Sequence, residues 1–265
     1  MMIMAVVLGL LPQMAFGAPA SSSKNGVGLL AEPEFKELSQ GLPPEDIFRL
    51  SALLNIRLGQ YEQAIAQLRV LTKNNPDSQT WGLLAVAYNA VAHWKLAYEA
   101  SAKAIALEPD SLLHHQEHGV AALNLGKYPE AEDDLLICVK ADSNNDRARF
   151  HLALAQAYLE KRAQARQNLI KAQALNSKLA GLANYYLGQI AAGQGKLVEA
   201  EIDLRKALEV SRDKNLPIYQ KAGRSLSKIK KADAIQTARK LEKALALVDA
   251  KNALKNTPVP CTSAR

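Results

Sequence analysis

A phrase of one type recurs along this chain at intervals of about 34 residues or a simple multiple of that spacing. It reads LGQYEQAIAQL from Leu58, LGKYPEAEDDL from Leu125 and QGKLVEAEIDL from Gln194. This period is too long for a coiled-coil heptad and too short for a propeller blade. It fits two helices of about a dozen residues joined by short turns. The sequence therefore predicts one helical hairpin per period.

An alanine that follows the turn of each period marks the register. Successive marker alanines lie 33, 34, 34 and 35 residues apart. A small residue is needed where two helices cross closely, and the apolar residues that follow it line the same helix face. Because one hairpin buries too little surface alone, neighbouring hairpins must stack to form a core. The marker alanines are Ala64, Ala97, Ala131, Ala165 and Ala200, and Ala234 continues the series.

The turn that precedes each marker alanine carries a glycine in three of the periods. Gly59, Gly126 and Gly195 stand where a first helix should end. A residue at this place often adopts a left-handed conformation, which glycine tolerates best. The composition agrees with helix, since alanine and leucine are frequent and only 5% of the residues are aromatic.

The second period carries the residues that point to a family. Its tryptophan, leucine, small residue, tyrosine, two alanines and proline resemble the tetratricopeptide pattern. They are Trp81, Leu84, Ala85, Tyr88, Ala97, Ala104 and Pro109. The resemblance covers residues 45–213 and implies an all-α fold, a right-handed superhelical solenoid of about five hairpins with C-terminal capping helices. The repeats it implies are 45–77, 78–111, 112–145, 146–180 and 181–213.

One repeat departs from this pattern. If Tyr158 is taken as the pattern's tyrosine, its distance from Ala165 makes the internal turn of the fourth repeat two residues short. We therefore expect a broken register in that repeat.

The two ends of the chain differ from the repeats. Residues 1–20 are apolar and uncharged and end in small residues, which predicts a secretory signal peptide and a periplasmic or secreted protein. No Lys or Arg precedes this run, so an uncleaved N-terminal membrane anchor is the alternative. Residues 21–44 are expected to be a linker and the start of the first helix. Residues 214–250 are predicted as basic capping helices or a degenerate sixth repeat, and 251–265 as a disordered tail.

Only two cysteines are present, too few for a disulfide scaffold. Cys138 falls where the repeat favours a small buried residue, which favours a free thiol in the core. Cys261 lies in the predicted tail, and whether the two pair is left open.

The resemblance also implies a binding surface on the first helix of each repeat. Its residues are apolar or carry amides, and two are adjacent tyrosines. Such a groove suits an amphipathic helix or an extended peptide, although some members would only pack against adjoining helices. The implied groove residues are Leu50, Leu53, Leu83, Val86, Asn89, Gln116, Val120, Asn124, Gln156, Tyr185, Tyr186 and Gln189. The family's carboxylate clamp is not assembled, because beside Arg49 its positions hold leucines and Glu117.

The densest group of metal-binding residue types is His114-His115-Gln116-Glu117-His118. His114 and His118 have the i, i+4 spacing that can chelate a metal, but no third ligand is evident. Because His115 and His118 occupy positions that normally pack between helices, a structural role is favoured. No phosphate loop, nucleophile elbow or carboxylate pair is present, so the sequence predicts no catalytic residue, metal or cofactor.

Charge is concentrated near the C-terminus. The net charge is +7, but residues 214–265 alone carry twelve Lys or Arg and three acids. We interpret this segment either as a solvated cap or as a patch for an anionic membrane or cell wall. Nucleic acid is disfavoured because aromatic residues are not interleaved. The patch comprises Lys221, Arg224, Lys228, Lys230, Lys231, Arg239, Lys240 and Lys243.

These observations together predict a non-catalytic scaffold. Its groove would hold a peptide or helix of a partner protein within a cell-envelope assembly. The alternative is an adaptor that contacts an anionic membrane or cell-wall surface through the basic C-terminal helices.

Overall fold

The computed structural model describes residues 40–74, 76–211 and 216–255, and between short turns this part of the chain is entirely helical. The absence of strands in these ranges confirms the predicted all-α class. The helices are α1 (Pro44–Arg57), α2 (Tyr61–Asn74), α3 (Ser78–Ala90), α4 (Trp94–Leu107), α5 (Leu112–Asn124), α6 (Tyr128–Ala141), α7 (Asp146–Tyr158), α8 (Arg162–Leu175), α9 (Ala180–Gly193), α10 (Leu197–Ser211) and α11 (Leu216–Lys255). A 3₁₀ turn at Ser177–Leu179 precedes α9.

Consecutive helices pair into hairpins, as the period predicts. We call α1, α3, α5, α7 and α9 the first helices, and α2, α4, α6, α8 and α10 the second helices. The chain divides into an N-terminal unit, residues 1–183, and a C-terminal unit, residues 184–265. Within the N-terminal unit each first helix contacts the next first helix, and α2, α4 and α6 each contact the first helices on both sides of them.

The marker alanines lie at the centre of each hairpin. All five from Ala64 to Ala200 have no exposed surface. In four hairpins the residue four positions later is a leucine that is also completely buried, and burying a leucine contributes about 1.5–3 kcal/mol. These leucines are Leu68, Leu135, Leu169 and Leu204. The predicted packing positions are thus confirmed.

Local signals set the helix boundaries. The side chain of Asp77 accepts a hydrogen bond from the backbone N–H of Thr80 and so caps α3. Asn145 caps α7 in the same way through the N–H of Ala148. Such caps satisfy N–H groups that have no partner inside the helix.

The turns between first and second helices share one backbone conformation. Gly59, Gly126 and Gly195 have φ of 75°, 78° and 73°, as predicted for the left-handed position. Ala92 and Glu160 take the same place in the second and fourth repeats, each with φ of 60°. These two residues accept a conformation that glycine adopts at lower cost.

The prediction of a shortened fourth repeat is wrong. α7 and α8 have 13 and 14 residues, the same lengths as α5 and α6. Glu160 simply replaces the turn glycine, and Tyr158 lies two positions beyond the place of the pattern's tyrosine. Gln156 occupies that place, so the register of this repeat is intact.

The C-terminal region is one helix. α11 runs without interruption over 40 residues. The sequence had predicted a sixth hairpin or several capping helices here. Ala234 is exposed on it and does not mark a buried crossing. Ile218, Ala222 and Ile229 are buried instead, and Ala222 and Ile229 belong to a core cluster with α9 and α10. A single helix therefore covers the last hairpin of the C-terminal unit.

The predicted tail begins within this helix, since residues 251–255 are helical. Residues 256–265, the predicted signal peptide and residues 21–39 of the predicted linker lie outside the described residues. None of the described helices combines the length and the apolar character that a membrane span requires.

Candidate partner-binding surface

Most of the predicted groove residues are buried between helices. First helices pack directly on one another in the N-terminal unit, and this contact covers the side chains that point from one to the next. Such residues have little area left for a partner. The buried members are Leu50, Leu53, Leu83, Asn89, Gln116, Val120 and Gln156.

The predicted groove residues that keep exposed surface divide between the two units. In the N-terminal unit Val86 is partly exposed and Asn124 is exposed. In the C-terminal unit Tyr185, Tyr186 and Gln189 are partly exposed.

Two of the residues in the C-terminal unit also support α11. The side-chain amide of Gln189 donates to the Ser225 hydroxyl at 2.8 Å. Tyr185 packs on the core cluster that contains Ala222 and Ile229, and its ring meets that of Tyr186 edge to face at 5.2 Å. Tyr185 and Gln189 therefore hold the covering helix in place.

A polar row crosses the first helices of the N-terminal unit. Glu117 is fully buried, and its carboxylate accepts a hydrogen bond from the Asn89 amide at 2.8 Å. Arg147 forms an ion pair with the same carboxylate, with 2.9 Å between Nη1 and Oε1. A buried carboxylate needs such partners, because taking an isolated charge out of water is costly. The row fixes the second, third and fourth repeats in register.

Tyr158 is an exposed aromatic residue that the sequence reading missed. It ends α7 with 57% of its surface exposed, and its ring stacks on Tyr128 with centroids 4.5 Å apart. It stands one repeat period after Asn124, so the period itself identifies it. The mistaken register of the fourth repeat concealed this equivalence.

The histidine cluster bonds two helices of one hairpin together. The Asp134 carboxylate on α6 meets Nδ1 of His115 at 2.8 Å and Nδ1 of His118 at 2.6 Å. Nε2 of His115 also lies 2.8 Å from the Pro109 carbonyl oxygen. Both ring nitrogens of His115 thus lie within hydrogen-bonding distance of an oxygen atom. No set of three or more metal-binding side chains comes together in the described ranges.

Two other histidines are buried. Burial lowers the pKa of His151 to about 3, with a smaller contribution from the nearby Arg147 guanidinium. Burial also lowers the pKa of His114, whose ring fits against Gly82 so closely that a Cβ there would lie 2.5 Å from Cε1. Both rings are therefore neutral near neutral pH.

Cys138 is a free thiol in the core, as predicted. It donates to the Leu112 carbonyl oxygen at 3.3 Å, and burial raises its pKa to about 12. The thiolate is the reactive form of cysteine, so this thiol is inert. Cys261 lies outside the described residues.

The predicted basic patch lies on α11. The members with described side chains are all exposed; they are Lys221, Arg224, Lys228, Lys230, Lys231 and Lys243. The side chains of Arg239 and Lys240 are outside the described set.

Comparison with known proteins identifies the repeat. A model of the tetratricopeptide repeat matches residues 117–162 and 152–215. No curated protein matches the chain in sequence.

Solved structures of tetratricopeptide-repeat proteins resemble the chain in fold. MamA from Desulfovibrio magneticus RS-1 has a TM-score of 0.56 and 20% identity over 64% of this chain and 96% of its own. MamA of AMB-1 has a TM-score of 0.56 and 22% identity, over 63% of this chain and 98% of its own. TTC0263, a thermophilic protein of Thermus thermophilus, has a TM-score of 0.55 and 22% identity, over 69% of this chain and 98% of its own.

At these identities the structural likeness establishes the fold alone. The family match adds to it, as do the hairpin period, the buried marker alanines and the left-handed turns. Residues 117–215 thus match the tetratricopeptide repeat in sequence, and the chain shares the fold of tetratricopeptide-repeat proteins.

Proposed function

We propose that this protein is a non-catalytic scaffold that holds a peptide or helix of a partner protein on the surface of its first helices. The repeat family supports a scaffold for protein interactions in general. The finer proposal has three parts. The partner binds on the first helices, the bound segment is a peptide or a helix, and the complex belongs to a cell-envelope assembly.

The main support is the exposed row at the ends of α5 and α7. Asn124 and Tyr158 occupy the same place in consecutive repeats, and both are exposed. Tyrosine offers a large contact area at a low cost in side-chain entropy, and an amide can satisfy the backbone of a bound segment. Val86 on α3 adds a partly exposed apolar side chain.

The side chains of the exposed row, Asn124 and Tyr158, are held in place by contacts within the protein. The stack on Tyr128 orients Tyr158, and the Asn124 amide donates to the Val120 carbonyl oxygen at 2.9 Å. The Asn89, Glu117 and Arg147 row ties the same three repeats together. Preorganised side chains lose less freedom on binding, so more of the contact energy appears as affinity.

Location in the envelope rests on the predicted signal peptide at residues 1–20. Export followed by cleavage would leave a mature N-terminus near Ala20. N-terminal sequencing of the protein purified from its own cell would detect this cleavage. An intact Met1 in a cytosolic fraction would contradict this part of the proposal.

A capture experiment tests the surface. A variant with Asn124→Ala and Tyr158→Ala should lose the partner that the wild type captures from its own cell, as identified by mass spectrometry. Val70→Ala with Ile137→Ala is the matched control, because these exposed residues lie on second helices. The proposal fails if the first-helix variant still captures the partner and the control does not.

This pair of changes is a sharper test than replacing Tyr185 and Tyr186. Tyr185 packs on the core of the C-terminal unit, so its loss would destabilise that unit as well as alter the surface.

The alternative function, contact with an anionic membrane or cell wall, rests on the exposed cations of α11. Binding to vesicles of phosphatidylglycerol that falls steeply with salt is the result this alternative predicts. The arrangement of those cations favours a different partner, as argued below.

A further inference from the structure

Four cations form a narrow stripe along α11. Lys221, Arg224, Lys228 and Lys231 are spaced by three, four and three residues, which places them on one face of a helix. At a rise of about 1.5 Å per residue the stripe is about 15 Å long. All four side chains are exposed, and no ion pair within the described residues engages them.

Comparison with the earlier repeats, one period apart, shows which face of α11 carries the stripe. Lys221 and Arg224 stand one period after Leu187 and Ile190 of α9, which are both buried. In the N-terminal unit the residues equivalent to Lys221 include Ser51 and His118. Each of them bonds a side chain of its own second helix, Gln67 and Asp134 respectively. The stripe therefore lies on the face that a second helix covers in the earlier repeats.

α11 thus has the position of a first helix, but its second-helix face is cationic. The face of α11 that carries Ala222 is buried as in the preceding repeat. Ala222 stands one period after Gly188, and both residues are buried. Ile235 continues the stripe one turn beyond Lys231 and is 47% exposed. The face combines one apolar side chain with four cations that pair with none of the described residues.

We propose that this face binds an acidic amphipathic helix of a partner protein, which takes the place that a second helix occupies in the earlier repeats. Carboxylates at the same three-four-three spacing would lie opposite the four cations. The narrow stripe suits a rod-like partner, because a flat membrane would contact a broad surface. This inference goes beyond the proposed first-helix surface, so the two can fail independently.

The test uses two synthetic peptides of one composition, each long enough as a helix to span the whole stripe. In one, four glutamates and a leucine follow the spacing of the stripe on one helix face. In the other, the same residues are dispersed around the helix. The full chain should bind the patterned peptide about tenfold more tightly in 50 mM salt. The peptide should gain helicity on binding, and the affinity should fall in 500 mM salt because exposed charges are screened.

Variants locate the site. Replacing Lys221, Arg224, Lys228 and Lys231 with Gln should weaken binding about tenfold. The control replaces Lys95, Lys140, Lys171 and Lys178 with Gln, and should bind within twofold of wild type. It loses the same charge from exposed sites elsewhere. Replacing the four stripe residues with Glu should transfer binding to a patterned lysine peptide, and this gain also shows that the variant is folded.

Several results would overturn the proposal. One is equal binding of the two glutamate peptides, and another is equal loss in the stripe and control variants. Tighter binding to phosphatidylglycerol vesicles or to a single-stranded oligonucleotide than to the patterned peptide would assign the stripe to a membrane or a nucleic acid instead.

Discussion

Single residues at the turns between helices carry local strain. Ala92 and Glu160 have positive φ where three other repeats use glycine. The left-handed conformation costs a residue with a side chain roughly 1–2 kcal/mol. Glycine avoids this cost but loses about 0.5–1 kcal/mol through the greater freedom of the unfolded chain.

Ala92→Gly should therefore stabilise the protein by about 0.5–1 kcal/mol, the difference between those two effects. Chemical denaturation would measure it. Gly126→Ala is the converse control and should destabilise, because it introduces the strain that Ala92→Gly removes. Destabilisation by Ala92→Gly would show that the turn is not strained.

Buried histidines should make the fold sensitive to acid. His151 has a pKa lowered to about 3 in the folded state, whereas an unfolded histidine titrates near 6.5. The stability due to its neutral form is complete above about pH 6.5 and is lost as the pH falls towards 3. The slope for one such group approaches about 1.4 kcal/mol per pH unit.

Denaturation of His151→Leu between pH 7 and 4 would test this. Its unfolding free energy should fall less steeply with decreasing pH than that of the wild type. His93→Leu makes the same substitution at an exposed histidine and serves as the matched control. Identical slopes for wild type and His151→Leu would contradict the assignment.

At the scale of the hairpin, polar side chains join the two helices beside the buried alanines and leucines. The residue three positions after the marker alanine bonds to the first helix in three repeats. Gln67 meets Ser51 and Asn55, Asp134 meets His115 and His118, and Asn168 meets Arg149 and Gln156. In the second repeat this position is Ala100, and Trp81 packs nearby. Among these four repeats, the second alone has an apolar side chain at this position.

Removing the shared acceptor of the third repeat should be costly. Asp134→Ala leaves two histidine rings without their carboxylate and should destabilise by about 2–3 kcal/mol. Asp133→Ala, next to it but exposed, should cost under about 0.5 kcal/mol. Equal small effects in thermal or chemical unfolding would mean that the bonds contribute little.

The covering helix offers a matched pair of isoleucines. Ile229 is 7% exposed in the core of the C-terminal unit, and Ile235 is 47% exposed on the same helix. Ile229→Ala should destabilise this unit by about 2–4 kcal/mol through the cavity it leaves, and Ile235→Ala by under about 0.5 kcal/mol. A similar cost for both, measured by hydrogen exchange in α10, would show that α11 does not pack as described.

Across the whole molecule, the period predicted the hairpins because the same helix packing must recur in every repeat. The marker alanines and turn glycines follow from close helix crossings and positive φ, which only certain residues permit. Tyr158 misled because an aromatic residue resembled the pattern's tyrosine, and the period alone would have placed it correctly. Leu53 and Val120 were assigned to the groove because a pattern shows which helix carries a residue, but not how much of it the next helix covers.

Photo-crosslinking in the living cell tests the proposed function most directly. A photoreactive phenylalanine analogue would replace Asn124 or Tyr158 on the first helices, and Val70 or Ile137 on the second helices. We expect both first-helix sites to crosslink one partner protein and both second-helix sites to give none. Crosslinks to that partner from the second-helix sites alone would contradict a scaffold that binds through its first helices.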